Sequence, residues 1–190
     1  MELLNNIWGA LTTPNETLTS IVTIPLFFVE NTLILYLILS IFKIEVAKKS
    51  KIIYVLIASF VGIISNFLIP IPINSILNYI ALIILAYFTF SMTKIKTLIA
   101  VILPTIIFAL VSNLLSNPFI QILNISSNDL LTVPIYRVIY LTMIYLFISL
   151  IVLILSHINF KLDILNNLSR KTSSIILINI LLGFFAIIMQ

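Results

Sequence analysis

The sequence predicts an all-α polytopic integral membrane protein, with about six transmembrane helices in one bundle and the N-terminus outside. Three observations carry that prediction. The 190-residue chain is 62% hydrophobic and 8% charged, with a mean hydropathy of +1.27, too apolar to cover a soluble fold with polar surface. Six apolar runs, separated by clear breaks, reach or approach the ~20 residues that cross a bilayer. The basic residues gather in alternate loops between those runs, as orientation signals do.

Residues 1–13 read as an interfacial N-terminal segment. Leu3, Leu4, Ile7, Trp8 and Leu11 fall on one helical face, and Trp8 suits the lipid headgroup level. Glu2 and the lack of Lys or Arg give the wrong charge for a signal peptide. An ordinary frayed terminus is the competing reading.

Residues 14–190 read as the six-helix transmembrane domain. The first run opens at Thr13 and Glu16, which have capping-box spacing, with Pro14 at the first helical position, and continues to about Phe42. The second covers Lys51 to Ile69 and stops at Pro70 and Pro72, because proline cannot continue a helix. The third spans Ser75 to Ser91, the fourth Thr97 to about Ser116, the fifth Leu131 to Ser156 and the sixth Ser174 to Gln190. Pro25 and Pro104 free backbone carbonyls and are candidate bends in the first and fourth.

Lys43, Lys48, Lys49 and Lys51 lie between runs one and two, Lys94 and Lys96 between three and four, and Lys161, Arg170 and Lys171 between five and six. Retention of basic loops in the cytoplasm puts those three loops inside and the N-terminus outside. Six crossings then return Gln190 to the exterior within an apolar run. The expectation is a membrane portion of a longer protein whose next segment crosses back inward; a complete protein with a short last helix is the alternative.

With this orientation the polar residues concentrate in the outer half. Asn66, Asn78, Ser112, Asn113, Ser116, Tyr136, Arg137 and Tyr140 all fall there, with Glu30 near the middle of the first helix. Polar groups facing lipid are costly, so an outward-open pocket is expected. Arg137, Tyr136, Tyr140, Asn113, Asn66, Asn78 and Glu30 are the candidate ligand-binding residues.

Arg137 is the one basic residue outside the cytoplasmic loops. A charge at the bilayer centre costs about 2.5 to 3.5 kcal/mol, less where a long stem snorkels to the surface. Two readings stand: Arg137 anchors the fifth helix at the interface, or it faces the pocket, offering a cation to an anionic ligand group or to the deeper Glu30. Glu30 is likewise either functional or a protonated, hydrogen-bonded structural group.

The chemistry that is missing narrows the function. The absence of cysteine excludes disulfides, thiolate nucleophiles and Cys-based metal sites, and the three glycines form no phosphate cradle. His157, the single histidine, sits at the cytoplasmic end of the fifth helix, far from Glu30, and reads as interfacial. No catalytic residue, metal site or cofactor is assigned, and the dispersed charge of +4 argues against nucleic acid. An intramembrane cysteine peptidase of comparable length is excluded because its thiolate is missing.

The stretches MELLNNIWGALTTPNETL, KKSKIIYVLIASFVGIISNFLIPIP, VPIYRVIYL and LDILNNLSRKTSSIILINILLGF resemble the N-terminal membrane region of clostridial sensor histidine kinases with a GHKL-type ATPase domain, similar to the accessory-gene-regulator receptor kinases. The resemblance runs over essentially the whole chain, in order, spacing and texture, with PIYR its most distinctive element. It implies a multi-pass bacterial cell-membrane protein, an input module for an extracellular peptide or small ligand, and a following cytoplasmic portion that dimerises, binds ATP and phosphorylates a histidine. A bias toward Ile, Asn and Lys points the same way, to an AT-rich bacterial genome. No phosphoacceptor motif or ATP-binding box lies within these residues, so kinase activity would belong to the longer protein. The rival reading from another class is a six-helix solute-binding subunit of a small-molecule transporter. Such subunits usually keep both termini in the cytoplasm, which the basic loops oppose.

Overall fold

A computed structural model describes residues 2–70 and 73–158. All regular structure among them is helical: α1 (Glu2–Thr12), α2 (Glu16–Phe42), α3 (Lys48–Leu68), α4 (Ile73–Phe90), α5 (Lys94–Leu123), α6 (Ser127–Thr132) and α7 (Pro134–His157). Five of these, α2, α3, α4, α5 and α7, are long and apolar enough to cross a membrane. The expected sixth span and the loop before it lie outside the described residues.

Local chemistry explains the boundaries, and it corrects several. The cap of the first long helix is Asn15, not Thr13: extended at φ −156°, it accepts the Leu18 N–H on its side chain at 2.9 Å. Thr13 is engaged elsewhere, its hydroxyl donating to the Gly9 carbonyl at the end of α1 at 3.0 Å. Helix α5 runs seven residues beyond Ser116 and carries both Pro104 and Pro118 inside it. It ends at Asn124, whose left-handed conformation (φ 51°) an asparagine tolerates.

The expected fifth run is two helices. Ser126 and Asp129 form a reciprocal capping box that starts α6 ahead of Leu131. Pro134 then forces Val133 into an extended conformation (φ −92°, ψ 116°), ends α6 and starts α7 at the position where its missing N–H is harmless. The Ser126 hydroxyl and backbone N–H both donate to the Asp129 carboxylate, which holds its pKa below the ordinary carboxylate value.

Helix α2 is the organising element. It packs most extensively against α7 and also touches α3, α5 and α6. One apolar cluster joins α2, α3, α4 and α5 through Ile34, Leu35, Ile38, Tyr54, Ala58, Leu82, Ala86, Phe90, Ala100 and Val101. A second joins α2 to α5, α6 and α7 through Leu37, Phe119, Leu130, Tyr140, Ile144, Tyr145 and Ile148. Outside these clusters the apolar side chains point away from the protein: Phe60 and Ile64 on α3, Phe88 on α4, Leu114 on α5, Leu146 and Leu153 on α7 are all exposed. A solvent of lipid is the environment in which such a surface is stable.

Polar ties fix the helix ends. The Thr132 carbonyl at the end of α6 accepts from the Asn15 backbone N–H (2.8 Å) and the Thr19 hydroxyl (2.7 Å) at the start of α2. At the opposite end the Lys43 ammonium donates to the carbonyls of Leu155 (3.1 Å) and Ile158 (3.4 Å), clipping α2 to the end of α7, where the helix dipole favours a cation. Lys43, Lys48 and Lys94 stand at the connections that meet at this basic end, while α1 and α6 lie at the other.

Candidate functional site

Between the two ends, α2, α4, α5 and α7 part around a cavity of about 260 Å³. Its polar lining comes from Glu30 and Asn31 on α2, Asn78 and Tyr79 on α4, Thr105 and Ser112 on α5, and Arg137 and Tyr145 on α7. Phe27, Ile34, Leu82, Phe108, Leu141 and Ile144 supply much of its apolar wall.

The helices reach this arrangement through small residues and shared carbonyls. Gly62 on α3 lets Phe27 of α2 approach so closely that a β-carbon there would lie 3.2 Å from the ring. Beside it, Asn31 Nδ2 donates to the Phe27 carbonyl at 2.8 Å, and Ser59, fully buried on α3, donates to the same carbonyl at 3.2 Å. These contacts set Asn31 as a structural member of the lining, with its amide already satisfied toward its own helix.

Arg137 and Glu30 line the same cavity and interact through space, yet form no direct ion pair. Glu30 Oε2 accepts from the Tyr145 hydroxyl at 3.3 Å. The guanidinium of Arg137 has no hydrogen-bond partner among the described residues. Asn78 is partly buried, and its Oδ1, without a hydrogen-bond partner among the described residues, is enclosed on the side toward Gly62. An arginine without a partner among the described residues, on the wall of a polar cavity, marks it as a place where a further molecule gains contacts.

The sequence-predicted residues divide. Arg137, Glu30 and Asn78 converge on the cavity. Tyr140 stands behind it: its hydroxyl donates to the Ser112 carbonyl at 2.8 Å and accepts from the Ser112 hydroxyl at 2.7 Å, fastening α7 to α5. Tyr136 packs partly buried against the second apolar cluster and is not in the cavity wall. Asn66 and Asn113 are exposed on the outer faces of α3 and α5 and are not brought to the cavity. Tyr145, Asn31, Tyr79 and Thr105 join the lining without having been singled out. The signal for Tyr145 was partial: eight residues beyond Arg137, it lies two turns along α7 and about 80° around it, at the margin of the same broad face.

No family model matches the chain, and no curated protein or solved structure proves similar to it. What the fold and the site define together is an all-helical protein suited to a membrane, built around a polar cavity.

Proposed function

We propose that this chain is the membrane input module of a two-component sensor histidine kinase in a bacterial plasma membrane, recognising an extracellular ligand and passing a helix displacement to a cytoplasmic kinase domain beyond residue 190. In this reading the N-terminus is outside, α1 lies at the membrane surface and residues 174–190 supply the sixth span. The observation that carries it is the placement of the cavity: its wall holds Arg137, Glu30 and Asn78 between the middle of the bundle and the end remote from Lys43, Lys48 and Lys94. A recess on the non-basic side opens toward the exterior under the positive-inside rule.

The cavity bridges α7 to α2, and the same two helices are clipped at the basic end by Lys43. A ligand that draws Arg137 toward Glu30 favours one packing of α7 on α2 over another, and the shift is delivered to the segment after residue 158. This is a population shift between two helix packings, driven by the ligand's differential affinity for them.

The chain's lack of cysteine makes the test clean. An Asn5→Cys variant in intact cells is expected to react with a membrane-impermeant maleimide, and Lys48→Cys and Lys94→Cys are expected not to. Labelling of the two lysine positions with protection of position 5 inverts the bundle and favours the solute-binding transporter subunit. For the kinase half, reading the gene past residue 190 is expected to show a phosphoacceptor histidine and ATP-binding boxes; an unrelated domain there removes the signalling assignment.

A further inference from the structure

Two opposite charges are brought to one cavity and left apart. Among the described residues the Arg137 guanidinium is unpaired and the Glu30 carboxylate takes a single hydrogen bond, from Tyr145. A simple anion would satisfy Arg137 but place a second negative charge beside Glu30, where a low dielectric magnifies the repulsion. A simple cation would satisfy Glu30 and be repelled by Arg137. A molecule bearing both charges satisfies Arg137 and Glu30 at once.

We propose that the cavity binds a small zwitterion carrying a carboxylate and a primary ammonium, the carboxylate held by the forked guanidinium of Arg137 and the ammonium by Glu30. Guanidinium offers the planar two-donor geometry that a carboxylate matches, and an ammonium donates to the Glu30 carboxylate. Leu82 and Ile144 form the apolar wall against which the carbon stem of the ligand lies. About 260 Å³ is at the small end of ligand cavities, which fits a free amino acid or short ω-amino acid and not a whole peptide. The proposal rests on the reading above only in taking the cavity as a recognition site.

The probe set is the homologous series glycine, β-alanine, 4-aminobutyrate, 5-aminovalerate and 6-aminohexanoate, titrated calorimetrically into the full chain in lipid nanodiscs. Saturable binding is expected to peak at one chain length, which measures the spacing of the two charged groups. Butyrate and butylammonium, each bearing one of the charges, are expected to bind at least roughly tenfold more weakly, and Arg137→Gln and Glu30→Gln each to weaken the preferred member by at least roughly tenfold. No binding by any member overturns the proposal and leaves the two charges as a water-bridged internal pair. Butyrate binding as tightly as the best zwitterion overturns it in favour of an anion site, and equal binding of butylammonium in favour of a cation site. The series on the unaltered protein decides the matter even if a variant fails to fold. Zwitterion binding with position 5 found in the cytoplasm sinks the sensor reading alone, whereas correct orientation with no probe binding sinks this inference alone.

Discussion

The two halves of the bundle are made of the same apolar residue types and are packed in opposite ways. Toward the basic end, Leu37, Ile38, Tyr54, Ala86, Ala100, Val101 and Ile148 are fully buried, with no exposed surface. From the middle toward the other end, α2, α4, α5 and α7 separate around a cavity whose wall carries an arginine, a glutamate and an asparagine. The difference teaches where each kind of free energy is used. The dry half holds the helices together by van der Waals packing, which is what remains when lipid removes the hydrophobic drive between helices. The polar half keeps its helices in register through a few hydrogen bonds at its margin, Thr19 to Thr132 and Ser112 to Tyr140, and leaves the interior available.

Truncation separates the halves most sharply. Leu37→Ala, in the dry half, is expected to lower the unfolding free energy in detergent by about 2 to 4 kcal/mol, because a tightly enclosed side chain leaves a void that its neighbours only partly fill. A loss under about 0.5 kcal/mol, the scale of an ordinary surface change, would show that this half is not the rigid one. Next in size, Tyr140→Phe removes the hydroxyl that both donates to and accepts from Ser112, and is expected to cost about 1 kcal/mol and to loosen α7 against α5, read as faster amide exchange beside the cavity.

Tyr54→Phe is expected to act in the other direction. The Tyr54 hydroxyl is buried in the dry half with no hydrogen-bond partner among the described residues, beside Phe90 at a ring-centroid distance of 5.2 Å. Removing it should leave stability unchanged or raise it by up to about 1 kcal/mol in the same unfolding measurement. A clear destabilisation would mean that the hydroxyl has a partner and that this half is wetter than its packing indicates.

The smallest expected effect is local and depends on pH. Ser126 holds the Asp129 pKa below its ordinary value of 3.8, so the charged form is favoured when α6 is folded. The contribution is therefore complete above 3.8 and fades as the pH falls through the lowered folded value. Amide protection in α6 should drop on acidification in that window while the dry half stays protected, and Asp129→Asn should remove the pH dependence.

Composition and periodic punctuation made the fold class readable. Five of the six apolar runs correspond to helices long enough to span, and Pro70 and the lysine clusters marked their ends within a few residues. Misplaced boundaries came from competition between neighbouring signals. Asn15 displaced Thr13 as a cap because the Thr13 hydroxyl was taken by α1, and Pro134 cut the fifth run because its ring constrains the residue before it.

The sequence by itself determined the helical class, five apolar helices long enough to span, the place of each polar residue along its helix and the gathering of Lys43, Lys48 and Lys94 at one end. Only the tertiary structure decided which polar residues meet. Asn66, Asn78 and Asn113 are the same residue type in comparable helices, yet only Asn78 reaches the cavity, while the other two point outward. The physical reason is that helices apolar around most of their circumference carry little phase information: depth follows from position along the chain, but facing follows from how the neighbours pack. Arg137, Glu30 and Tyr145 lie 107 and 115 residues apart in sequence from one side of the site to the other, and it is the packing of α7 on α2 that makes them neighbours.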